Sequence, residues 1–555
     1  MSNKISQSSK FMYKKRDLYR LIKNSEYGVL INSGKKSQFL RVRSKLINLQ
    51  RKILPTQQGY ITNLFFRNRG SRPLKVYAGV VVDFLIPHYF PNEILENSWT
   101  QSGFSGYRKG VTPTKKKKLF LTRDQNPFSF REDYGYLKNA LVSEWYTQLI
   151  ESNESLVVGA ISASDQFTQV YLRQEKQGIR VRVTCQLDGL RLDPGKSFKS
   201  EKIVFLMGRK QETLDKFADL VRKENRVGNL PKPIKGLCCA YYYQGNYVDE
   251  RYILDQLQTI DKFPQKSGLE LIQIDGLPNP WGDWLSTLDK LFPSGLDYIV
   301  KEINKRGLMA GFWIAPFVAS PSSKLFWEHP DWFLKDDDGN YFEARFTSPF
   351  DFLPPLSFRA LDPTHPEFQN HLAKVIEKLV GYGFRYIKTD FTYPVCFTTN
   401  YHTPMTRARA LRTGFEVIKK AAGKDVLIQT CITQISPLIG LTDYCRVGLD
   451  ILTPLVKGIP LVNKLVNEYM LRENLRNCEA RNFWHKKIWI NDPDCVVFRS
   501  GMGISKALIE KHKYFSHQNN TSLWTGDNLA ELTKKENQDL FVFFNHQGDS
   551  LKKVI

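Results

Sequence analysis

Four aspartates close or follow apolar runs in the second half of the sequence, where acids can serve chemistry. Asp275 ends Leu-Ile-Gln-Ile-Asp, Asp390 ends Tyr-Ile-Lys-Thr-Asp, Asp450 ends Arg-Val-Gly-Leu-Asp, and Asp492 follows Lys487–Asn491. One such acid is often only a cap for the next helix. Four in the same register predict a shared carboxylate-lined cleft, because barrel enzymes place reactive groups at the C-terminal ends of their strands. Two carboxylates flanking a bond are the minimum equipment for glycoside hydrolysis: one attacks the anomeric carbon, and the other protonates the leaving oxygen and later deprotonates water. The acid partner needs a raised pKa, which a largely apolar cleft would supply. Lys388 shares a strand face with Asp390. A buried ammonium near that carboxylate would favour its ionised form, as a nucleophile requires. Arg446, four residues before Asp450, faces inward from the same strand. Trp281, Trp284 and Trp313 lie near the ends of the second and third runs, where they can wall a site or simply pack the core.

The elements that must position these residues form two blocks. Residues 1 to about 225 read as mainly β. Tyr77–Leu85, Leu156–Ser162, Gln169–Leu172 and Ile179–Gln186 look like strands, divided by turn signals at Pro91-Asn92 and Asp193-Pro194-Gly195. Gln211 to Asn225 has helical spacing, with Leu214, Phe217, Leu220 and Val221 on one stripe, and Pro231 and Pro233 then mark a linker. From Lys235 onward eight apolar runs alternate with amphipathic helices: Gly236–Tyr243, Leu269–Gly276, Leu308–Pro316, Phe384–Phe391, Val426–Cys431, Tyr444–Asp450, Lys487–Asn491 and Ser522–Thr525. Eight strand–helix units suit a parallel barrel. One helix is expected to be capped by Ser294 with Asp297 and stopped at Gly307. Another is expected to start at Pro366 and end at Gly381. Leu540–Asn545 reads as a last strand.

The expected architecture is an N-terminal β-sandwich (residues 1–228), a catalytic (β/α)8 TIM barrel (229–528) and a truncated C-terminal β segment (529–555). The 555 residues, 42% hydrophobic and 25% charged, suffice for such a barrel of ~250 residues plus a smaller domain. Eight cysteines without a C-x-x-C pair, several inside apolar runs, argue against a zinc site and against a secreted disulfide scaffold. Met1 to Arg16 is polar and basic, so neither a signal peptide nor a membrane span is expected, and the expected location is cytoplasmic. The net charge of +24 raises nucleic acid as a partner. The basic residues are scattered, however, and the densest run, Lys115–Lys118, reads as a solvated loop.

In these same stretches the sequence resembles glycoside hydrolase family 36, the α-galactosidase-like family of clan D. Tyr-Ile-Lys-Thr-Asp (386–390) is similar to the family's nucleophile motif and Arg-Val-Gly-Leu-Asp (446–450) to its acid/base motif. Asn-Asp-Pro-Asp-Cys (491–495) resembles the motif at the seventh strand. Gly-Asp-Trp (282–284), Gly-Phe-Trp-Ile-Ala-Pro-Phe (311–317), His-Pro-Asp-Trp (329–332) and Ala-Leu-Asp-Pro-Thr-His-Pro (360–366) fit in order. The likeness covers roughly residues 155 to 530. It implies a retaining double displacement without cofactor or metal, with Asp390 as nucleophile and Asp450 as acid/base. Asp275, Trp284, Trp313, Lys388, Cys431, Arg446 and Asp492 would bind an α-glycoside or oligosaccharide, most readily an α-galactoside. The chain also departs from the family. Gly276 replaces a second aspartate after Asp275, Leu237-Cys238-Cys239-Ala240 replaces Trp-Cys-Ser-Trp, and Thr430 and Ile432 flank Cys431. The catalytic pair is kept while the sugar-reading shell is altered. Two other readings use the same residues: a transglycosylase resembling raffinose synthases, and a catalytically eroded carbohydrate-binding homologue. Neither a membrane nor a nucleic-acid partner is expected, and a homo-oligomer is left open.

Overall fold

The computed structural model describes residues 14–32, 37–41, 44–101, 103–111, 137–239, 248–262, 268–275, 280–285, 290–346, 356–451 and 460–545. Lys115–Lys118, Ala240 and Gly276 lie outside the described residues.

The N-terminal block is built of two antiparallel sheets. The first runs in the spatial order Ser37–Arg41, Glu26–Asn32, Leu74–Pro87, Gly178–Leu192, Thr168–Glu175, Leu141–Glu144. The second runs Ser197–Lys199, Gly59–Asn68, Ile203–Arg209, Glu154–Ala160, Tyr146–Glu151, Glu93–Glu96, Gly106–Arg108, and Ile47–Pro55 pairs with Gly59–Asn68. Their apolar faces meet: the Phe84 ring of the first sheet lies 5.9 Å from Phe205 of the second. At Gly79 an added Cβ would touch Leu64 of the opposite sheet at 3.6 Å. The helix Lys210–Glu224 then buries Leu214, Phe217, Ala218 and Val221, the stripe its spacing predicts.

The second block is a parallel sheet. Its strands, in chain order, are the first (Lys235–Cys238), second (Leu271–Ile274), third (Met309–Ile314), fourth (Tyr386–Thr389), fifth (Leu427–Thr430), sixth (Tyr444–Arg446) and seventh (Ile490–Asp492). A short strand (Cys495–Val496) and a last strand (Leu523–Thr525) follow. Each of the eight apolar runs overlaps one of these strands. The last strand pairs with both the first strand and Cys495–Val496, and the seventh pairs with the sixth. The two ends of the sheet are therefore consecutive in the chain, separated by Pro493 and Asp494. Helices Glu250–Asp261, Leu296–Lys305, Pro366–Tyr382, Arg407–Ala422, Pro460–Ala480 and Lys506–Gln518 connect the strands, and a single 3-10 turn, Ser436–Leu438, lies between the fifth and sixth. A small antiparallel sheet of Val318–Ala319, Leu356–Ala360 and Glu343–Phe346 lies between the third strand and helix Pro366–Tyr382. Among the described residues no helix is long and apolar enough to cross a membrane.

Three local expectations are corrected. Residues 534–545 form a helix, Lys534–Asn545, where a strand at Leu540–Asn545 was expected. Leu540, Phe543 and Phe544 are buried at i, i+3 and i+4, a helical period that outweighs the strand-like composition of the run. The helix after Ser294 starts one residue later than expected, with Gly295 (φ 86°) at its N-cap. Ser294 instead donates its hydroxyl to Glu250 at 2.8 Å, a competing local partner. The helix from Pro366 passes through Gly381 and stops at Gly383, whose φ of 105° supplies the left-handed turn. Gly307 (φ 73°) does follow the cap of helix Leu296–Lys305.

Candidate active site

The strand-end acids sit where the pairing register puts them. The fourth strand pairs with the third through Trp313↔Lys388 and with the fifth through Lys388↔Gln429, and the sixth pairs with the seventh through Arg446↔Asp492. Asp275, Lys388, Asp390, Gln429, Arg446 and Asp492 are all buried. Buried polar groups of this kind are costly unless they answer one another, and here they do.

Asp390 is held on both oxygens. Trp313 Nε1–H donates to Oδ2 at 3.0 Å, and the Phe391 backbone N–H donates to Oδ1 at 2.8 Å. Burial pushes the Asp390 carboxyl above the usual carboxylate range. The Lys388 charge and the Trp313 N–H oppose that push, while Asp450 and Asp275 add to it. Lys388 is less simply placed than its spacing suggests. Its ammonium donates directly to Asp275 Oδ2 at 2.9 Å, and it acts on Asp390 through its charge. Although burial works against that charge, Asp275 and its neighbours hold the ammonium well above its ordinary value. Asp275 Oδ2 also accepts from Gln273 Nε2 at 2.7 Å and from the Cys238 thiol at 3.5 Å.

Asp450 differs from the expected acid in an apolar cleft. Its side chain is 44% exposed, and Arg446, 2% exposed, donates to its Oδ1 from Nη2 at 2.8 Å. The desolvated carboxyl of the pair is Asp390. Asp492 serves as a bracket: its Oδ2 accepts from Gln429 Nε2 and its Oδ1 accepts the Asp494 backbone N–H at 2.8 Å.

Trp284 and Trp313 are both 4% exposed and pack edge to face at 5.7 Å. Trp281 meets Trp313 at 5.2 Å and Phe391 at 5.0 Å, and it stacks flat on Phe358 at 4.0 Å. The tryptophans thus pack on one another and also line the Asp390 side, joining the two roles their positions allowed. Backbone strain collects at the same strand ends. Phe391 (φ 48°), Ile432 (φ 37°) and Asp494 (φ 75°) follow the fourth, fifth and seventh strands in the left-handed region, a placement that recurs at functional sites.

Two participants escaped the sequence reading. Asp494 pairs with Arg446 Nη2, and its signal was present in the Asp-Pro-Asp stretch. Gln101, on the N-terminal block, had no signal. Its Oε1 accepts the Thr433 backbone N–H at 2.9 Å, and its Nε2 points at the Cys431 sulfur at 3.9 Å. Burial, with Asp390 adding, pushes the Cys431 thiol well up. Arg481 fastens this segment: its guanidinium donates to Asn97 Oδ1, Ser98 Oγ, the Thr100 and Gln101 carbonyls, Ser105 Oγ and the Val447 carbonyl. Among the described residues no group of three or more His, Cys, Asp or Glu is arranged to hold a metal ion.

Residues 241–417 match the Melibiase family model. α-Galactosidase AgaA of Geobacillus stearothermophilus is 29% identical over 161 residues, 26% of this chain and 20% of that protein. α-Galactosidase Mel36A of Lactobacillus acidophilus is 31% identical over 103 residues, 17% of this chain and 13% of that protein. The chain therefore matches a fifth or less of the length of these curated relatives. In fold it is similar to TtGalA, an α-galactosidase from Thermus thermophilus solved with p-nitrophenyl α-D-galactopyranoside (TM-score 0.65, 20% identity, 90% of this chain and 95% of that one). It is also similar to the family 36 α-galactosidase AgaA of Geobacillus stearothermophilus (TM-score 0.59, 14% identity, 93% of this chain and 74% of that one). Residues 241–417 thus match a melibiase-type domain, the sequence relatives are α-galactosidases, and the fold is similar to that of family 36 α-galactosidases.

Proposed function

We propose that the chain is a retaining glycoside hydrolase acting on α-glycosides, with α-galactosides first among them. The observation that carries this reading is the pairing of Asp390 and Asp450, at the ends of the fourth and sixth strands of one sheet, with electrostatic coupling between them. Asp390, oriented by the Trp313 and Phe391 N–H groups, attacks C1 from the face opposite the departing oxygen and forms a covalent β-linked glycosyl-enzyme. Asp450, half exposed at the mouth, protonates the departing oxygen and then takes a proton from the water that releases the sugar. The aromatic wall of Trp281, Trp284 and Trp313 receives the apolar face of the ring, and the Asp275–Lys388 pair receives its hydroxyls. We place these groups in a (β/α)8 barrel that closes between Asp492 and Cys495, behind an N-terminal β-sandwich. We also place the protein in the cytoplasm, a reading supported by eight buried cysteines that are thiols.

The test is turnover of p-nitrophenyl α-D-galactopyranoside, with NMR of the first-formed sugar anomer. Wild type is expected to retain configuration, and Asp390→Ala to lose at least about 10³-fold in kcat, as removal of a covalent nucleophile does. Full turnover by Asp390→Ala, or an inverted anomer, refutes the assignment. Parallel assays on N-acetylgalactosaminide, glucoside and xyloside analogues define the sugar.

A further inference from the structure

Asp494 does more than end a strand. Its φ of 75° is a conformation that Asp and Asn tolerate better than most residues. In that pose its Oδ2 accepts the Ile451 backbone N–H at 2.8 Å and pairs with Arg446 Nη2. The same Nη2 donates to Asp450 Oδ1 at 2.8 Å. Asp494 therefore grips the chain on both sides of Asp450, through Arg446 four residues before it and through Ile451 immediately after it. One guanidinium nitrogen lies between two carboxylates, Asp494 at 2% side-chain exposure and Asp450 at 44%.

This arrangement answers a chemical problem. A general acid must carry its proton up to the moment of bond cleavage, whereas a guanidinium in contact with a carboxyl favours its ionised form. A second carboxylate on the same guanidinium draws that charge away. We propose that Asp494 is a positioning residue for Asp450, fixing Arg446 and the Ile451 amide and sharing the guanidinium charge so that Asp450 can act as an acid. The proposal rests on the reading of Asp450 as acid/base.

The groups around Asp494 suit this role. Arg446 and Asp450 face it from the sixth strand and its extension, and Asp492 faces it from the seventh. Cys495 lies beside it in the chain, and Cys478 faces it from helix Pro460–Ala480. His512 of helix Lys506–Gln518 is bonded to the Pro493 carbonyl at 3.0 Å, and burial pushes its imidazole down to about 4, so it is neutral at working pH. Of these groups Arg446 carries the positive charge. Burial lifts the Asp494 carboxyl, Asp450 and Asp492 add to that rise, and the ion pair with Arg446 opposes it and favours the charged form.

The experiment compares Asp494→Asn, Arg446→Gln and the double variant on two substrates. p-Nitrophenyl α-D-galactopyranoside has a leaving group that needs little acid help, and stachyose has one that needs much. Asp494→Asn removes one of the two carboxylates that share this guanidinium nitrogen. Its high-pH limb of kcat/KM is expected to move about one pH unit lower, with an extra loss of about 10–100-fold on stachyose relative to the aryl glycoside, part of what general acid catalysis supplies. Arg446→Gln leaves two carboxylates facing each other and moves the limb higher, and the double variant returns it toward the wild-type position. Equal losses on both substrates with no shift of the limb would make Asp494 merely structural and overturn the proposal. If Asp494→Asn does not fold, as read by its melting transition, the sign of the Arg446→Gln shift decides the same point. Asp450→Asn, run alongside, must show its own bias against stachyose. If it does not, or if wild type turns over neither substrate, the reading of the site fails and the proposal with it.

Discussion

At the scale of single residues, the site turns on how one ammonium is shared. Lys388 bonds to Asp275 and reaches Asp390 only as a charge, and this sets a pH prediction with a definite sign. In the proposed reaction Asp390 attacks in its ionised form, and burial already holds its carboxyl high. Lys388→Gln keeps a donor for Asp275 but removes the charge opposing that rise. The low-pH limb of kcat/KM is therefore expected to move upward by about one pH unit, equivalent to about 1.4 kcal/mol. A pH–rate profile checks it, and a limb that stays put or moves downward refutes it. The strand-end aspartates were legible in the sequence because a carboxylate closing an apolar run is conspicuous. Their partners were less so. Spacing shows that Lys388 and Asp390 share a face, but a long side chain can bond to a residue of the neighbouring strand. Asp494 stood in view in the Asp-Pro-Asp stretch, but its use depends on a left-handed backbone angle that no composition rule announces.

At the scale of elements, the extension of the sixth strand shows why the motif Arg-Val-Gly-Leu-Asp contains its glycine. A Cβ on Gly448 would lie 1.7 Å from Asn474 Oδ1 and 2.9 Å from Cys478 Sγ, both on helix Pro460–Ala480. Asn474 cannot easily yield, because it is buried and holds the Pro493 carbonyl at 2.8 Å. Gly448→Ala is expected to cost about 1–3 kcal/mol by overpacking. It is also expected to lower kcat/KM by about tenfold or more, because it shifts the backbone between Arg446 and Asp450. Denaturant midpoints and steady-state kinetics read the two effects, and an unchanged kcat/KM would show that the strand end tolerates displacement. The parallel strands were legible because they are short, continuous apolar runs bounded by helices. The C-terminal helix Lys534–Asn545 was misread because Phe, Val and Phe in succession look like a strand unless the buried positions are counted at a period of 3.6. The small sheet between the third strand and helix Pro366–Tyr382 went unseen because its strands are two to five residues long.

At the scale of the whole molecule, the two blocks share one interior. Trp145 of the N-terminal block stacks on Trp484 of the second block at 4.5 Å and 3°. Buried residues from Leu18 through Val158 to Trp489 and Trp524 belong to a single contiguous cluster. Calorimetry is expected to show one unfolding transition with calorimetric and van't Hoff enthalpies in agreement. Two resolved transitions would show that the blocks melt independently. The change to parallel strands from Lys235 onward was visible in the sequence, but this shared interior was not, because sequence periodicity says which face of an element is apolar and nothing about which distant element covers it.

The contact between Gln101 and the end of the fifth strand spans 330 positions of sequence. The end of the fifth strand is thus braced by a segment that lies far from it in the chain. Variation confined to the residues around Gln101 changes the support of Cys431 and Thr433 while every strand-end carboxylate stays as it is.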